Sequence, residues 1–310
     1  MERRRIGQLD VSVVGVGCNN FGSRIDADAT KAVVDAALVA GVNYFDTAES
    51  YGGGKSEEFL GAALGERRAE VLIATKWQAP PGTNDTHFGS REAMRTAVEG
   101  SLARLDTDYI DHYILHVPDP DTPIAETLAA LDELKQEGKI RETGCSNFSA
   151  AQLDEAVSEA ARLGVAPFAS VQNHYSLLHR DPETDGVLEA CARHGIAFVP
   201  YFPLESGLLT GKYRSGEALP EGSRLAGWNA ELASRFINDE RLRTVSVLGD
   251  WTEQHGHTLL DLAMSWLLVK QQVASVICGA TSPAQVAANV SAAGWSLTGE
   301  ELDALNAVLG

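Results

Sequence analysis

The sequence predicts an α/β fold, a (β/α)8 TIM barrel forming one domain over residues 1–310, and three observations support this prediction. Short β-branched segments alternate with longer segments of helical periodicity along the chain. Most of the short segments are continuous, largely apolar runs rather than alternating ones, as in parallel strands that are buried on both faces. A length of 310 residues is also usual for such a barrel.

Eight strand–helix units account for most of the chain, which favours a closed barrel over an open sheet. The predicted strands span residues 13–17, 42–46, 71–75, 109–115, 140–145, 168–172, 196–200 and 273–277. The predicted helices span residues 29–40, 57–64, 91–105, 124–137, 151–163, 185–194, 258–270 and 283–292. Ser149-x-x-Gln152 matches a capping box, and Ser282 precedes a proline at the first position of a helix.

Two segments lie outside the repeat. Residues 3–13 have the alternation and the turn residues (Gly7 and Asp10) of an N-terminal β-hairpin, which we expect to plug the bottom of the barrel. Residues 202–251 follow the seventh strand and look helical over 231–248. Connections of that length usually cover a functional site. A final helix is predicted over 299–309.

The composition excludes several classes of function. The net charge of −18 disfavours binding to nucleic acid or to acidic membrane lipids. The four cysteines have no zinc-site spacing and are expected to be free thiols. The basic N-terminus lacks an apolar signal core, and the apolar stretch 259–269 is too short to cross a bilayer, so a cytoplasmic location is expected. The sequence does not reveal the oligomeric state.

Four titratable residues lie at the carboxyl end of a predicted strand or soon after it: Asp46, Tyr51, Lys76 and His116. Chemistry in such barrels takes place at the carboxyl ends of the strands, so these side chains should converge at one rim. Lys76 can stabilise a Tyr51 phenolate, Asp46 can keep that lysine charged, and His116 can donate a hydrogen bond to a carbonyl oxygen. Tyr51 would then act as a general acid.

Each of these residues also has an ordinary structural interpretation. Asp46 can be a turn or cap residue, Lys76 a surface lysine, Tyr51 an amphipathic loop residue and His116 a hydrogen-bonded core histidine. Four unrelated structural roles that happen to meet at one rim are a less favoured explanation than one shared active site. No histidines pair with carboxylates at metal-ligand spacing, so no metal is expected. The remaining histidines are assigned no role: His87, His174, His179, His194, His255 and His257.

A general acid that protonates a carbonyl oxygen is useful only if a nucleophile attacks the carbonyl carbon. No serine or cysteine is placed beside a base to serve as that nucleophile. Other rim residues suggest a nicotinamide dinucleotide as its source. Ser146, Asn147 and Gln172 suit a carboxamide, and Tyr201 offers a ring for stacking. Residues 207–212, with Arg224, suit a pyrophosphate, and residues 279–283 open a helix that can receive phosphate. Glycines 52–54 lack the strand–helix context of a Rossmann site.

The sequence resembles the aldo-keto reductase family over nearly its whole length. The stretches that carry the resemblance are GVNYFDTAESYG (41–52), ATKW (74–77), YILHVPDP (113–120), EGKIRETGCSNFS (137–149), VQNHYSLLHR (171–180), YFPLESGLLTGKY (201–213) and ICGATSPAQVAANV (277–290). The resemblance implies a TIM barrel that binds NAD(P)(H) without a Rossmann domain and reduces carbonyl compounds.

The resemblance also implies roles for individual residues. Tyr51 matches the acid/base tyrosine, Lys76 and Asp46 the lysine–aspartate pair, and His116 the histidine that orients the carbonyl. Substrate contacts are expected from Asn19, Tyr51, His116 and Trp77, with Trp77 as a wall of the pocket. The positions implied for the cofactor are Gly17, Cys18, Asn19, Asn20, Asp46, Ser146, Asn147, Gln172, Tyr201, Phe202, Pro203, Leu204, Ser206, Gly207, Leu208, Lys212, Arg224, Gly279, Thr281, Gln285 and Asn289.

The sequence departs from the family pattern in two places. Many members that prefer NADPH carry lysine and arginine where Gly279 and Gln285 stand, and this chain lacks both cations there. Members with glycine and glutamine at these positions also use NADPH, so we expect NADPH, with NADH also possible. Glu205 stands where a small residue is commoner. A carboxylate beside a pyrophosphate is unfavourable unless it points to solvent or pairs with a base.

The expected activity is NAD(P)H-dependent reduction of an aldehyde or ketone, a small-molecule carbonyl substrate. An alternative is a dinucleotide-binding regulatory subunit resembling the potassium-channel β subunits, although the long N-terminal extension of some of those is not expected here. A metal-dependent isomerase is disfavoured because ligand clusters are lacking. Substrate selectivity is expected in the segments 21–26, 77–90 and 202–228, around an open pocket.

Overall fold

A computed structural model describes residues 1–79, 87–214 and 216–309 of the chain. Its main feature is a parallel sheet of eight strands in the order β10-β3-β4-β5-β6-β7-β8-β9. The strands are β3 (Val14–Gly17), β4 (Tyr44–Asp46), β5 (Leu72–Trp77), β6 (Ile110–Leu115), β7 (Ile140–Ser146), β8 (Ser170–Gln172), β9 (Ala197–Phe198) and β10 (Val276–Gly279).

The sheet closes on itself between β9 and the residues before β10. Phe198 forms a parallel bridge with Val273. The amide of Phe198 donates to the carbonyl of Gln272 (2.7 Å), and the amide of Ala274 donates to the carbonyl of Phe198 (2.9 Å). The predicted (β/α)8 barrel is therefore confirmed.

Helices surround the barrel, and their starts follow the capping signals in the sequence. The Ser149 hydroxyl and the Gln152 side chain form a reciprocal capping box. The Ser282 side chain accepts a hydrogen bond from the amide of Gln285. The helices are α1 (Ala27–Val39), α2 (Lys55–Leu64), α3 (Arg91–Leu105), α4 (Ile124–Gln136), α5 (Ala150–Leu163), α6 (Asp181–Thr184), α7 (Val187–His194), α8 (Ala230–Phe236), α9 (Asp239–Gln254), α10 (Leu259–Leu268), α11 (Pro283–Ala292) and α12 (Gly299–Leu309).

The predicted hairpin closes the amino-terminal end of the barrel. Strands β1 (Arg3–Ile6) and β2 (Leu9–Ser12) pair antiparallel. Their apolar side chains, such as Ile6, pack in one cluster with Tyr44 and Ile114 from the barrel interior. Bonds from the Arg4 guanidinium to the carbonyls of Val273 (2.7 Å) and Leu268 (2.8 Å) also hold the hairpin. The hairpin is therefore a plug of the barrel, as expected.

The predicted helix 185–194 begins at Val187 of α7 rather than at residue 185, and the short α6 before it was not predicted. The left-handed Gly186 (φ 86°) lies between these two helices. The segment predicted to be helical over 231–248 is divided between α8 and α9, and the extended Asn238 between them caps α9 through its side chain. Residues 80–86, which belong to the predicted selectivity segment 77–90, lie outside the described residues. No helix in the described part of the chain has the length and apolar character needed to cross a membrane.

Candidate active site

A lysine–aspartate pair lies at the carboxyl ends of two neighbouring strands. Asp46 is the last residue of β4, and Lys76 lies in β5 with none of its side chain exposed. The Lys76 ammonium donates to Asp46 Oδ1 (2.6 Å) and to the carbonyl of Thr47 (2.7 Å). Its third contact is Tyr51 Oη, at 3.4 Å. The ammonium therefore connects the carboxylate to the phenol.

Tyr51 is held in place by a glycine-rich 3-10 turn. Gly52 has a positive φ of 60°, and a Cβ there would lie 3.0 Å from the carbonyl oxygen of Phe21. Only glycine satisfies both constraints without strain. The ring of His116 lies edge-on to the Tyr51 ring, with centroids 5.9 Å apart. The four titratable residues are thus brought together at one rim.

Burial and charge set the protonation states of this group. Burial would lower the pKa of Lys76, but attraction to Asp46 and Tyr51 outweighs it, and the pKa is raised. Burial raises the pKa of the Tyr51 phenol against the opposing charge of Lys76. Burial, and then the Lys76 charge, lowers the pKa of His116 to about 3. At neutral pH the site holds an ammonium, a protonated phenol and a neutral imidazole.

The predicted carboxamide-binding side chains are already engaged with one another. Gln172 donates from Nε2 to Asp46 Oδ2 (2.8 Å). Asn147 donates from Nδ2 to Ser146 Oγ (3.0 Å) and to the carbonyl of His116 (3.0 Å). Tyr201 donates its hydroxyl proton to Asn147 Oδ1 (2.8 Å). These bonds hold the Tyr201 ring to Asn147 and join the Gln172 side chain to the Asp46 carboxylate.

These residues open onto a cavity of about 620 Å³ that also extends past the β10 end. The predicted positions that line it are Gly17, Asn19, Asn20, Asp46, Tyr51, His116, Ser146, Asn147, Gln172, Tyr201, Phe202, Pro203, Leu204, Ser206, Gly207, Lys212, Arg224, Gly279, Thr281, Gln285 and Asn289. The sequence-based set therefore falls almost entirely around one space.

Three predicted contact residues do not line this cavity. Cys18 and Leu208 are completely buried in the core. Trp77 is 1% exposed, donates from its indole to the carbonyl of Phe88 (3.1 Å) and stacks on Tyr113. Trp77 therefore packs in the core and does not line this cavity, and its role as a wall of the substrate pocket stays a prediction. Lys76 is also hidden from the cavity, because it lies behind Tyr51 and Asp46.

Three cations face the distal part of the cavity: Lys212, Arg224 and Arg24. Arg224 donates to the side-chain oxygens of Asn19 and Asn20 (both 2.9 Å), and Arg24 donates to the carbonyl of Gly222 (2.6 Å). Burial, and then the charges of both arginines, lowers the pKa of Lys212. Within the described residues none of the three has a carboxylate partner, and such a group of unpaired cations suits an anion.

Arg24 was missed by the sequence analysis. Arg24 could have been found by the reasoning that identified Lys212 and Arg224, because it too is a cation in a rim loop of an acidic chain. A further polar group is available nearby, because the Ser206 hydroxyl is buried without a hydrogen-bond partner among the described residues. Three cations and a free hydroxyl fit a pyrophosphate in chemistry and number.

Glu205 is buried and paired with bases. Its Oε1 accepts from His174 Nε2 (2.7 Å) and Ser176 Oγ (2.6 Å), and its Oε2 accepts from Arg241 Nη1 (2.9 Å). Burial opposes ionisation, but the bonds from His174 and Ser176 and the Arg241 charge lower the pKa of Glu205. Of the two arrangements expected for this carboxylate, exposure to solvent or pairing with a base, the structure shows pairing, and His174 is one of its partners.

The loop before α11 and the first turn of this helix also line the cavity, through Gly279, Thr281 and Gln285. The Gln285 side chain accepts from the amide of Thr281 (2.8 Å). Gly279 lies close to Asn20, whose Nδ2 would be 3.2 Å from a Cβ at this position. In the described part of the chain no three His, Cys, Asp or Glu residues are grouped to hold a metal ion.

Comparisons with known proteins agree with this geometry. A model of the Aldo/keto reductase family matches residues 13–309. A probable voltage-gated potassium channel subunit beta of Arabidopsis thaliana is 37% identical over 300 residues, covering 94% of this chain and 91% of that protein. The L-glyceraldehyde 3-phosphate reductase of Escherichia coli K12 is 32% identical over 288 residues, covering 88% of this chain and 81% of that protein. The chain thus belongs to the aldo/keto reductase family.

Proposed function

We propose that the protein reduces an aldehyde or ketone to an alcohol with NADPH, or with NADH less readily, and that the reaction is reversible. The observation that carries this proposal is the contact chain from Asp46 through Lys76 to Tyr51 Oη, with distances of 2.6 and 3.4 Å, at the edge of a cavity. The related reductase of Escherichia coli supports an oxidoreductase.

The described residues fit a nicotinamide dinucleotide. Tyr201 would stack on the nicotinamide, and Ser146, Asn147 and Gln172 would hold its carboxamide. Lys212, Arg224 and Arg24 would bind the phosphates, since they have no carboxylate partners among the described residues. Gly279, Thr281, Gln285 and Asn289 would surround the adenosine. When bound, the reduced dinucleotide supplies a hydride.

The protein side chains supply the proton and hold the substrate oxygen. Tyr51 donates its phenolic proton to the carbonyl oxygen as negative charge develops there. Lys76 stabilises the resulting phenolate, and Asp46 keeps Lys76 charged and oriented. His116, neutral because its pKa is lowered to about 3, donates a hydrogen bond to the same oxygen.

Tyr51→Phe tests these roles. The variant should reduce carbonyl substrates about 10²–10⁴-fold more slowly, because it lacks the acidic proton. Turnover is followed by NADPH absorbance with a panel of aldehydes and ketones. NADPH affinity, measured by quenching of tryptophan fluorescence, should stay near the wild-type value, because the ring remains. Unchanged turnover in Tyr51→Phe would show that the proton comes from elsewhere.

A second candidate function is favoured by the similarity to proteins named as potassium channel β subunits. In that case the chain would bind the dinucleotide tightly and regulate a partner protein. Tight NADPH binding without turnover of any carbonyl in the panel, together with co-purification of a membrane protein, would favour this function over the first.

A further inference from the structure

The segment Phe202–Gly207, which lines the cavity, has an unusual backbone. Phe202, Glu205 and Ser206 have positive φ angles of 52°, 47° and 56°, and Gly207 follows at 94°. Residues other than glycine adopt this conformation at an energetic cost and keep it only when the surroundings enforce it. Some contact outside the segment must therefore hold it.

The Glu205 carboxylate makes that contact. Its side chain has no exposed surface and receives donors from two other parts of the fold. His174 and Ser176 reach it from the connection after β8, at 2.7 and 2.6 Å, and Arg241 reaches it from α9, at 2.9 Å. The Arg241 guanidinium is itself fixed, because it also donates to the carbonyl of Leu178 (3.1 Å).

The same carboxylate is connected to both parts of the proposed cofactor site. Ser206 and Gly207, the next residues in the chain, line the cavity beside Lys212. On the other side, the His174 ring stacks on Tyr201, with centroids 5.5 Å apart and planes at 18°. The His179 ring stacks behind His174 at 3.8 Å. Loss of the carboxylate charge would therefore affect both Ser206–Gly207, on the proposed phosphate side, and the Tyr201 ring, on the proposed nicotinamide side.

We propose that Glu205 is a positioning residue: its buried ion pairs hold the segment Phe202–Gly207 and the Tyr201 ring in the binding arrangement before the dinucleotide arrives. This inference rests on the proposed function for the identity of the ligand. Positioning of this kind reduces the ordering that binding requires, so its loss weakens binding.

Glu205→Gln tests the proposal, with Asp111→Asn as a matched control. Asp111 is also a fully buried carboxylate with three donors: Arg68 (2.8 Å), Arg141 (2.7 Å) and the amide of Ile73 (3.0 Å). It lies in β6 and does not line the cavity. Both variants lose a buried charge in ion pairs, but only Glu205→Gln should disturb the segment.

Two measurements distinguish the variants. Hydrogen exchange of the amides in residues 202–213, without nucleotide, should become faster in Glu205→Gln and stay at the wild-type rate in Asp111→Asn. The Kd for NADPH should rise about tenfold in Glu205→Gln and less than about twofold in the control. In steady state, the KM for NADPH should rise while kcat at saturating NADPH changes little.

Wild-type exchange in residues 202–213 of Glu205→Gln, or an equal loss of affinity in both variants, would overturn the proposal. If Glu205→Gln does not fold, Arg241→Met replaces it, since it removes a partner of the same carboxylate from outside the segment. Faster exchange at 202–213 supports the proposal, and unchanged exchange overturns it. If the wild-type protein binds neither NADPH nor NADH, the proposed function fails, while the exchange result still reports on Glu205.

Discussion

At the scale of the residue, Tyr51 depends on two opposing influences from its surroundings. Burial favours the neutral phenol, and the nearby Lys76 ammonium favours the phenolate. Burial is the larger influence without a ligand, so the pKa is raised from the usual value of 10. His116, the other group facing the phenol, stays neutral down to about pH 3. The proton available for reduction is therefore retained throughout the physiological range.

The pH dependence of the two directions should follow from this. Reduction requires the protonated phenol, which is present below the pKa of Tyr51 and lost as the pH rises through it. The kcat/KM for the carbonyl should thus be flat between about pH 6 and 9. Oxidation of the alcohol requires the phenolate, so its rate should rise over the same window. A decline in reduction of about tenfold across this window would contradict the assignment.

The sequence was sufficient to predict site residues at the ends of strands. It was less informative about contacts between residues that only the fold brings together. Asp46 and Lys76 were predicted because each lies at the carboxyl end of a recognisable strand. The bond from His174 to Glu205 joins residues 31 positions apart, and the bond from Arg241 joins residues 36 apart. No local pattern specifies which donors will surround a buried carboxylate. Trp77, the residue after Lys76, packs in the core because successive side chains of a strand point to opposite faces of the sheet.

At the scale of the element, the packing of α2 against α3 depends on one glycine. Gly61 lies in α2, and a Cβ there would overlap the carbonyl oxygen of Leu105 at the end of α3. That oxygen belongs to the backbone and cannot rotate away. The absence of a side chain at Gly61 therefore sets how closely the two helices approach.

Gly61→Ala should lower the free energy of unfolding by about 1–3 kcal/mol, because the helices must separate. Gly249→Ala is the control, since Gly249 lies in α9 and a Cβ there has no described atom within 4 Å. That change should raise stability by about 0.5–1 kcal/mol through helix propensity. Urea denaturation measures both, and equal effects would refute the packing argument.

Element boundaries were predicted best where caps and turn residues mark them. The start of α11 at Pro283 agrees with the prediction because Ser282 and the proline are local signals. The helix predicted over 185–194 misses α6, because the left-handed Gly186 separates the two helices. Strand β9 is shorter than predicted and contains only Ala197–Phe198, because sheet pairing is decided by neighbours distant in sequence.

At the scale of the whole molecule, the barrel has two chemically different ends. The amino-terminal end is closed by the apolar side of the hairpin, including the fully buried Ile6. The opposite end carries the buried polar groups and the cavity. Such a division separates residues that stabilise the fold from residues that bind ligands.

Ile6→Ala should therefore lower the free energy of unfolding by about 2–5 kcal/mol and leave the Kd for NADPH unchanged. Val39→Ala, at a side chain that is 91% exposed, should change stability by less than about 0.5 kcal/mol. Thermal denaturation and nucleotide titration at a temperature where both variants are folded measure the two quantities. A weaker affinity in Ile6→Ala would show that the two ends are coupled.

The joint between β9 and the residues before β10 has a mechanical consequence. It is the shortest run of pairing in the barrel wall, two backbone bonds around Phe198. The segment Phe202–Gly207 departs from one side of this joint, and Gly279 and Thr281 follow the strand on the other. A dinucleotide that contacts both segments would therefore bridge the joint with the shortest run of pairing among the described strands.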